Sequence, residues 1–246
     1  MRNKNVIYTA IFGGKDFLHE PEYIPEGFDF VCFTDSETLS SRIWNIRRVK
    51  ASFPDPVRSA RFYKILAHQF LSEYEYSVWV DGNMLVIGDV NKLIGKYMPT
   101  SSLALYNHSY LKRRIFGLFW MKDRSFARNC IYTEAEQLIR RTESGIYMDD
   151  PVRITEQMER YRKDAYPENH GLATTMVLLR RHNDPDTIRV MQMWWEELSR
   201  GSRRDQLSFN YVTWKLHYKF SYINEDARRN RYFKKVKHAE KKNPIF

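Results

Sequence analysis

Tyr76-Ser-Val-Trp-Val-Asp81-Gly-Asn83 decides how this chain is read. A run of β-forming apolar residues stops abruptly at Asp-Gly-Asn. Short apolar runs bounded by a turn signal read as buried strands. In open α/β sheets, ligands bind outside the carboxyl ends of the strands. A carboxylate and an amide presented by a tight turn at that edge suit a ribose or sugar hydroxyl, a diphosphate, or a divalent metal on that diphosphate. Asp-Gly-Asn is also a common turn signal in its own right.

Similar runs lie on either side of it, at Val6–Phe12, Phe28–Thr34, Leu103–Tyr106 and Ala173–Leu179, with helical patterns between and after them. The alternation predicts an α/β sandwich. With no internal repeat and no low-complexity linker, one domain over residues 1–226 is expected, followed by a basic tail over 227–246. The 246 residues are 43% hydrophobic and 15% aromatic, which excludes a disordered chain. No apolar run approaches the roughly 20 residues of a membrane span. Val6–Phe12 is too short for the core of a signal peptide and reads as the first strand. Cys32 and Cys130 sit in apolar patterns and read as buried free thiols, too few for a zinc site. A cytosolic protein is the expectation.

The net charge of +10 is uneven. Residues 227–246 hold eight Lys or Arg and one Glu, or +7, leaving +3 on the other 226 residues. Such a tail suits an anionic surface, for example the inner face of a membrane, and equally a solvated end that aids solubility.

Asp55-Pro56 is a helix start, with Asp as N-cap and Pro at the first position. The helix is expected to run to about Ser72. At 100° per residue Phe62, Tyr63, Leu66, Ala67 and Phe70 share one arc, while Arg58, Arg61, Lys64 and His68 form a basic stripe. That stripe reads either as a solvated face or as an anion site. A second helix is predicted from about Thr187 to Arg200, with Gly201 as its stop. Ser202-Arg-Arg-Asp205 then reads as a capping box, which would make Asp205 an N3 carboxylate serving backbone amides.

Gly13-Gly14 does not complete a dinucleotide fingerprint, and no Walker loop or Gly-x-Ser-x-Gly elbow is present. Three strand ends remain: Thr9, Phe12 and Gly13 on the first, Asp35 on the second, Asp81 and Asn83 on the third. A nucleotide lying across them would meet all three, with the basic stripe beside its diphosphate.

These residues are similar to those of a glycosyltransferase-like family, formerly a domain of unknown function, with members in plant pectin and mucilage synthesis and in bacterial surface-polysaccharide loci. The matching stretches are Tyr8-Thr-Ala-Ile-Phe-Gly-Gly14, Cys32-Phe-Thr-Asp35, Asp55-Pro56 with Arg58, Arg61, Lys64 and His68, and Trp79-Val-Asp-Gly-Asn83. His108, Glu134-Ala135, Gln157 with Tyr161, Arg181-His182 and Ser202-Arg-Arg-Asp-Gln-Leu-Ser-Phe209 follow in order. The resemblance implies a GT-A-like fold: a Rossmann-like nucleotide-binding sheet flanked by helices, with a helical C-terminal part. It implies transfer of a sugar from a nucleotide-diphosphate donor, with uridine as the expected base, to a glycan or lipid-linked glycan acceptor.

Asp-Gly-Asn then occupies the Asp-x-Asp position. Donor binding falls to Thr9, Phe12, Gly13, Asp35, Arg61, Lys64, Asp81 and Asn83. A divalent metal, Mn or Mg, would take Asp81 and Asn83, with His217 as a further candidate. The uncharged Asn83 is a weaker ligand for a hard cation, and Arg61 and Lys64 are expected to assume part of the metal's role. Asp205 becomes the catalytic candidate, as general base or as stabiliser of an oxocarbenium-like state. His108, Glu134, His182, Arg204 and Gln206 are expected at the acceptor or donor sugar. A catalytically inactive scaffold and a nucleic-acid-binding protein remain the alternatives; the near-neutral body argues against the second.

Overall fold

The computed structural model describes residues 4–115, 119–122 and 127–237. Eleven strands and six α-helices follow in order: β1 Asn5–Ile11, β2 Phe28–Thr34, β3 Asn45–Arg48, α1 Pro56–Ile65, β4 Tyr76–Val80, β5 Met84–Val86, α2 Asn91–Tyr97, β6 Leu103–Asn107, β7 Lys112–Ile115, β8 Phe119–Lys122, α3 Ile131–Glu143, α4 Pro151–Lys163, β9 Ala173–Arg180, α5 Pro185–Arg200, α6 Gln206–Lys215, β10 Ser221–Ile223 and β11 Phe233–Lys235. Seven strands form the central sheet in the order β10-β6-β9-β4-β1-β2-β3. Every pairing in it is parallel except the two made by β9, which runs antiparallel between β4 and β6. The mostly parallel sheet flanked by helices is the α/β, Rossmann-like architecture that the sequence predicted.

Strand alternation builds two cores. Val6, Tyr8, Ala10 and Phe12 of the first strand region face one side, where Trp79, Leu105 and Leu178 join residues of α1, α3, α4, α5 and α6. Ile7, Ile11, Val78, Val80 and Leu179 face the other, over α2 and the C-terminal segment. Both cysteines are buried and free, as expected. Because β1, β2, β4 and β6 run the same way, their carboxyl ends share one edge. Gly13, Asp35, Asp81 and His108 follow those ends.

Three expectations are corrected. The first helix stops at Ile65 rather than near Ser72, and a short 3₁₀ turn follows over Ala67–Gln69. The buried Arg180 donates to the Lys64 and Ile65 carbonyls and the Tyr8 hydroxyl donates to the Lys64 carbonyl, so tertiary partners satisfy the last turn. Gly201 stops α5 as expected, in an extended conformation; a Cβ there would lie 2.6 Å from Gln157 Oε1. The capping box is absent. Helix α6 begins only at Gln206, and the Asp205 side chain makes no cap bond. The segment 227–237 is no free tail. Ala227 and Phe233 are fully buried. β11 pairs antiparallel with β5, and Val236 N donates to the Asn83 carbonyl at 2.9 Å. Residues 238–246, the rest of the expected tail, lie outside the described residues. No described helix is long and apolar enough to cross a membrane.

Candidate active site at the carboxyl edge of the sheet

Trp79 on β4 and Asp81 just past its end stand two residues apart, so both point to the face covered by α1. Trp79 Nε1 donates to Asp81 Oδ1 at 2.8 Å. The same oxygen accepts from Arg61 Nη1 and Lys64 Nζ, each at 3.4 Å. These two cations lie three residues apart on α1, one above the other on a single helix face. They also meet a second carboxylate. Lys64 Nζ lies 2.5 Å and Arg61 Nε 3.2 Å from Asp205 Oδ2. Two cations and two carboxylates thus close into one network. Lys64 has no exposed side-chain surface and Asp205 has 5%.

Burial opposes charge on Asp205, but Arg61, then Lys64 and Arg204, outweigh it and hold its pKa down to about 2. Burial and the neighbouring Arg61 lower the Lys64 pKa against the pull of Asp205 and Asp81. Burial also works against charge on Arg61, yet the two carboxylates raise it overall.

A pocket of about 390 Å³ opens beside this network, lined by Ala10–Phe12, Lys15, Asp16, Pro56, Val57, Ala60, Arg61, Trp79, Asp81–Asn83 and Arg204. Of the expected donor residues it gathers Phe12, Arg61, Asp81 and Asn83. Gly13 shapes the rim: its φ of +61° favours glycine, and a Cβ there would meet Pro56 Cγ at 2.8 Å. Asp35 does not line the pocket but pins Gly13, accepting its N–H at 3.0 Å. Thr9 is buried with an unpartnered hydroxyl among the described residues and does not reach the pocket. The basic stripe divides. Arg58 donates to the Leu198 and Gly201 carbonyls and caps α5, while His68 sits half-buried on the 3₁₀ turn.

The sugar-contact candidates also separate. Arg204 lines the pocket. His108 follows β6 at the same edge, and its Nδ1 accepts from Arg128 N at 3.0 Å, while Arg128 pairs with Glu134. Burial takes the His108 pKa down to about 4. His182 lies beyond the far end of β9, at the opposite edge. It donates from Nε2 to the Leu71 carbonyl at 2.7 Å, and burial lowers its pKa to about 4. Gln206 begins α6 with Nε2 buried and unpartnered among the described residues.

A divalent metal fits this donor set poorly. Asp81 already faces two cations, and among the described residues no three His, Cys, Asp or Glu converge. His217 is exposed on a different depression, with His170, Trp214 and Tyr218, and does not join Asp81 and Asn83.

Sequence reading passed over Lys235. It lies opposite Met84 in the β5–β11 ladder, one step from Asn83. Lys235 is solvent-exposed, yet enough protein surrounds its ammonium to lower its pKa, with Arg228, Arg204 and Arg141 adding repulsion against the pull of Asp81. It was hidden in the charge-rich segment assigned to a tail.

A family model described as TOD1/MUCI70, glycosyltransferase-like domain, matches residues 1–238. Over 240 residues the chain is 23% identical to a protein of Arabidopsis thaliana described as "Probable hexosyltransferase MUCI70". That alignment covers 86% of this chain but 37% of the relative, so the chain spans little more than a third of that protein. The match takes in every element described above, from the β1 strand end to β11, and the chain belongs to the TOD1/MUCI70 glycosyltransferase-like domain family.

Proposed function

We propose that the chain transfers a hexosyl group from a nucleotide-diphosphate donor, with UDP-sugars as the first candidates, to a glycan acceptor in surface-polysaccharide synthesis. The observation that carries this reading is the pocket at the carboxyl edge, walled by Asp81 and Arg61, with Lys64 buried behind them on the same carboxylate. Asp81 Oδ1 is committed to Arg61, Lys64 and Trp79, while Oδ2 takes no hydrogen bond among the described residues. The fixed carboxylate can therefore accept a donor hydroxyl without rearranging, the kind of preorganisation that transfer reactions exploit.

Asp205 enters this reading as a positioning residue. Its side chain does not line the pocket, and a carboxyl held near pKa 2 is a weak proton acceptor at neutral pH. Its carboxylate fixes Arg61 and Lys64, and through them Asp81. The description of the Arabidopsis relative as a probable hexosyltransferase supports hexosyl transfer.

The test is nucleotide release from a panel of UDP-, GDP- and ADP-sugars by wild type and Asp81→Ala. Wild type is expected to turn over one donor class. The variant should lose roughly 100-fold or more in rate, as when a preorganised polar group at a reacting centre is removed. Equal release from both proteins would sink the role given to Asp81.

A further inference from the structure

The charges around the pocket do not all cancel. Arg61 and Lys64 balance Asp81 and Asp205 within one closed network. Arg128 is paired with Glu134, and Arg228 with Asp226. Arg204 is different. It lines the pocket, yet its guanidinium makes no hydrogen bond and no ion pair among the described residues. Its hydrogen bonds run through the backbone: the N–H donates to Ser202 Oγ, and the carbonyl accepts from Leu207 N. Burial and the nearby Arg61 make its charge costly, while Asp205, Glu134 and Asp81 offset that only from a distance. Lys235 likewise pairs through its backbone, and its ammonium forms no ion pair with a carboxylate among the described residues. Its strand runs beside the pocket: Lys235 lies opposite Met84, the next residue Val236 donates to the carbonyl of the pocket-lining Asn83, and repulsion from Arg204 reaches the ammonium. A protein seldom holds an unpaired guanidinium against a second cation unless an anion completes the set.

Resting on the donor reading above, the geometry points to Arg204 and Lys235 as the receptors for the donor diphosphate, in place of a divalent cation. The diphosphate of a nucleotide sugar carries one negative charge on each phosphate, two in all. Arg204 and Lys235 supply two positive charges that no described carboxylate pairs. Arg204 brings a planar fork matched to phosphate oxygens, and Lys235 brings a point charge on an extended stem. A bound dication would add two more positive charges beside Arg61, Lys64, Arg204 and Lys235. The cations expected from sequence to replace the metal, Arg61 and Lys64, are instead spent on carboxylates. The β5–β11 ladder is what sets Lys235 opposite Met84, the residue after Asn83.

Titration calorimetry of the full chain with UDP and with inorganic pyrophosphate, in excess EDTA and again in manganese, tests the assignment. Wild type is expected to bind UDP in EDTA, with manganese changing the dissociation constant less than about threefold. Arg204→Gln should weaken binding roughly 10- to 100-fold, the span of one charge-assisted hydrogen bond. Because its side chain is unpaired and its charge is costly where it lies, Tm should not fall. Arg204→Lys should recover part of the loss, since charge returns without the fork. Lys235→Gln, at an exposed position, should weaken binding by a smaller factor and flatten its salt dependence. UDP binding that appears only with manganese overturns the proposal, and so does an Arg204→Gln variant that binds like wild type; either result leaves the glycosyltransferase reading standing. A wild type that binds neither pyrophosphate nor any nucleoside diphosphate under either condition overturns both.

Discussion

Lys64 shows what a single residue contributes here. Its helical position places it among basic neighbours, where lysine is ordinarily solvated, yet it is fully buried. Its charge is tolerated because two carboxylates and the ring of Trp79, 5.5 Å from Nζ, surround it. Buried pairs of this kind add little net stability but cost several kcal/mol when one partner is lost. The pH dependence follows from Asp205. Its ordinary pKa of 3.8 falls to about 2 in the fold. Above about pH 4 the carboxylate is charged in both states, and the ion pairs count in full. As pH falls from about 4 towards 2 the unfolded chain takes up the proton first, so stability drops, by about 2 kcal/mol from this group. Urea unfolding as a function of pH should show this acid limb in wild type and lose that part of it in Asp205→Asn. The limb between about pH 6.5 and 4, where the buried neutral His108 and His182 come to be charged in the unfolded chain, should remain in both.

At the scale of elements, the junction between α5 and α6 sets the site. The Gly201 N–H donates to the Glu197 carbonyl, Ser202 N donates to Gln157 Oε1 at 2.8 Å, and Arg203 N donates to Asp149. These bonds turn the chain so that Arg204 meets the pocket and Asp205 meets Lys64. Gly201→Ala should push Gln157 away, because the new Cβ would sit 2.6 Å from Oε1. A loss of about 1–3 kcal/mol is expected, typical of overpacking, read as a lower urea midpoint with unchanged m. The main strands were legible because each is an apolar run of four or more residues between turn signals. β3, Asn-Ile-Arg-Arg, and the three-residue β5, β10 and β11 were not, being too short to show alternation. The end of α1 was illegible because Arg180, far along the chain, terminates it. In the site, Asp81 was legible from its strand end. Arg204 was named from resemblance, without its unpaired state. Lys235 could not be found, because a charge run gives no sign that one of its members lies in a ladder. The capping-box spacing at Ser202 misled, since tertiary ion pairs claimed the Asp205 carboxylate before any backbone amide could.

For the whole molecule, the body extends past residue 226 to at least residue 237. Deleting 238–246 leaves the β5–β11 ladder intact and is expected to hold the melting temperature within about 2 °C of the full chain. Deleting 227–246 removes the buried Phe233 and the ladder to β5, and should lower it by about 6 °C or more, since about 2–4 °C accompanies each kcal/mol in a domain this size. Differential scanning calorimetry of the two truncations decides between them. The same ladder orders events on the ribosome. Met84 emerges early, and its partner Lys235 only after nearly all the intervening chain. Until then β5 is a strand without its mate, an edge open to wrong pairing. The Asp81 edge of the sheet can assemble during synthesis, but the Asn83 wall gains its β11 partner later, so a nascent chain holds the shape of its site before it holds the charge.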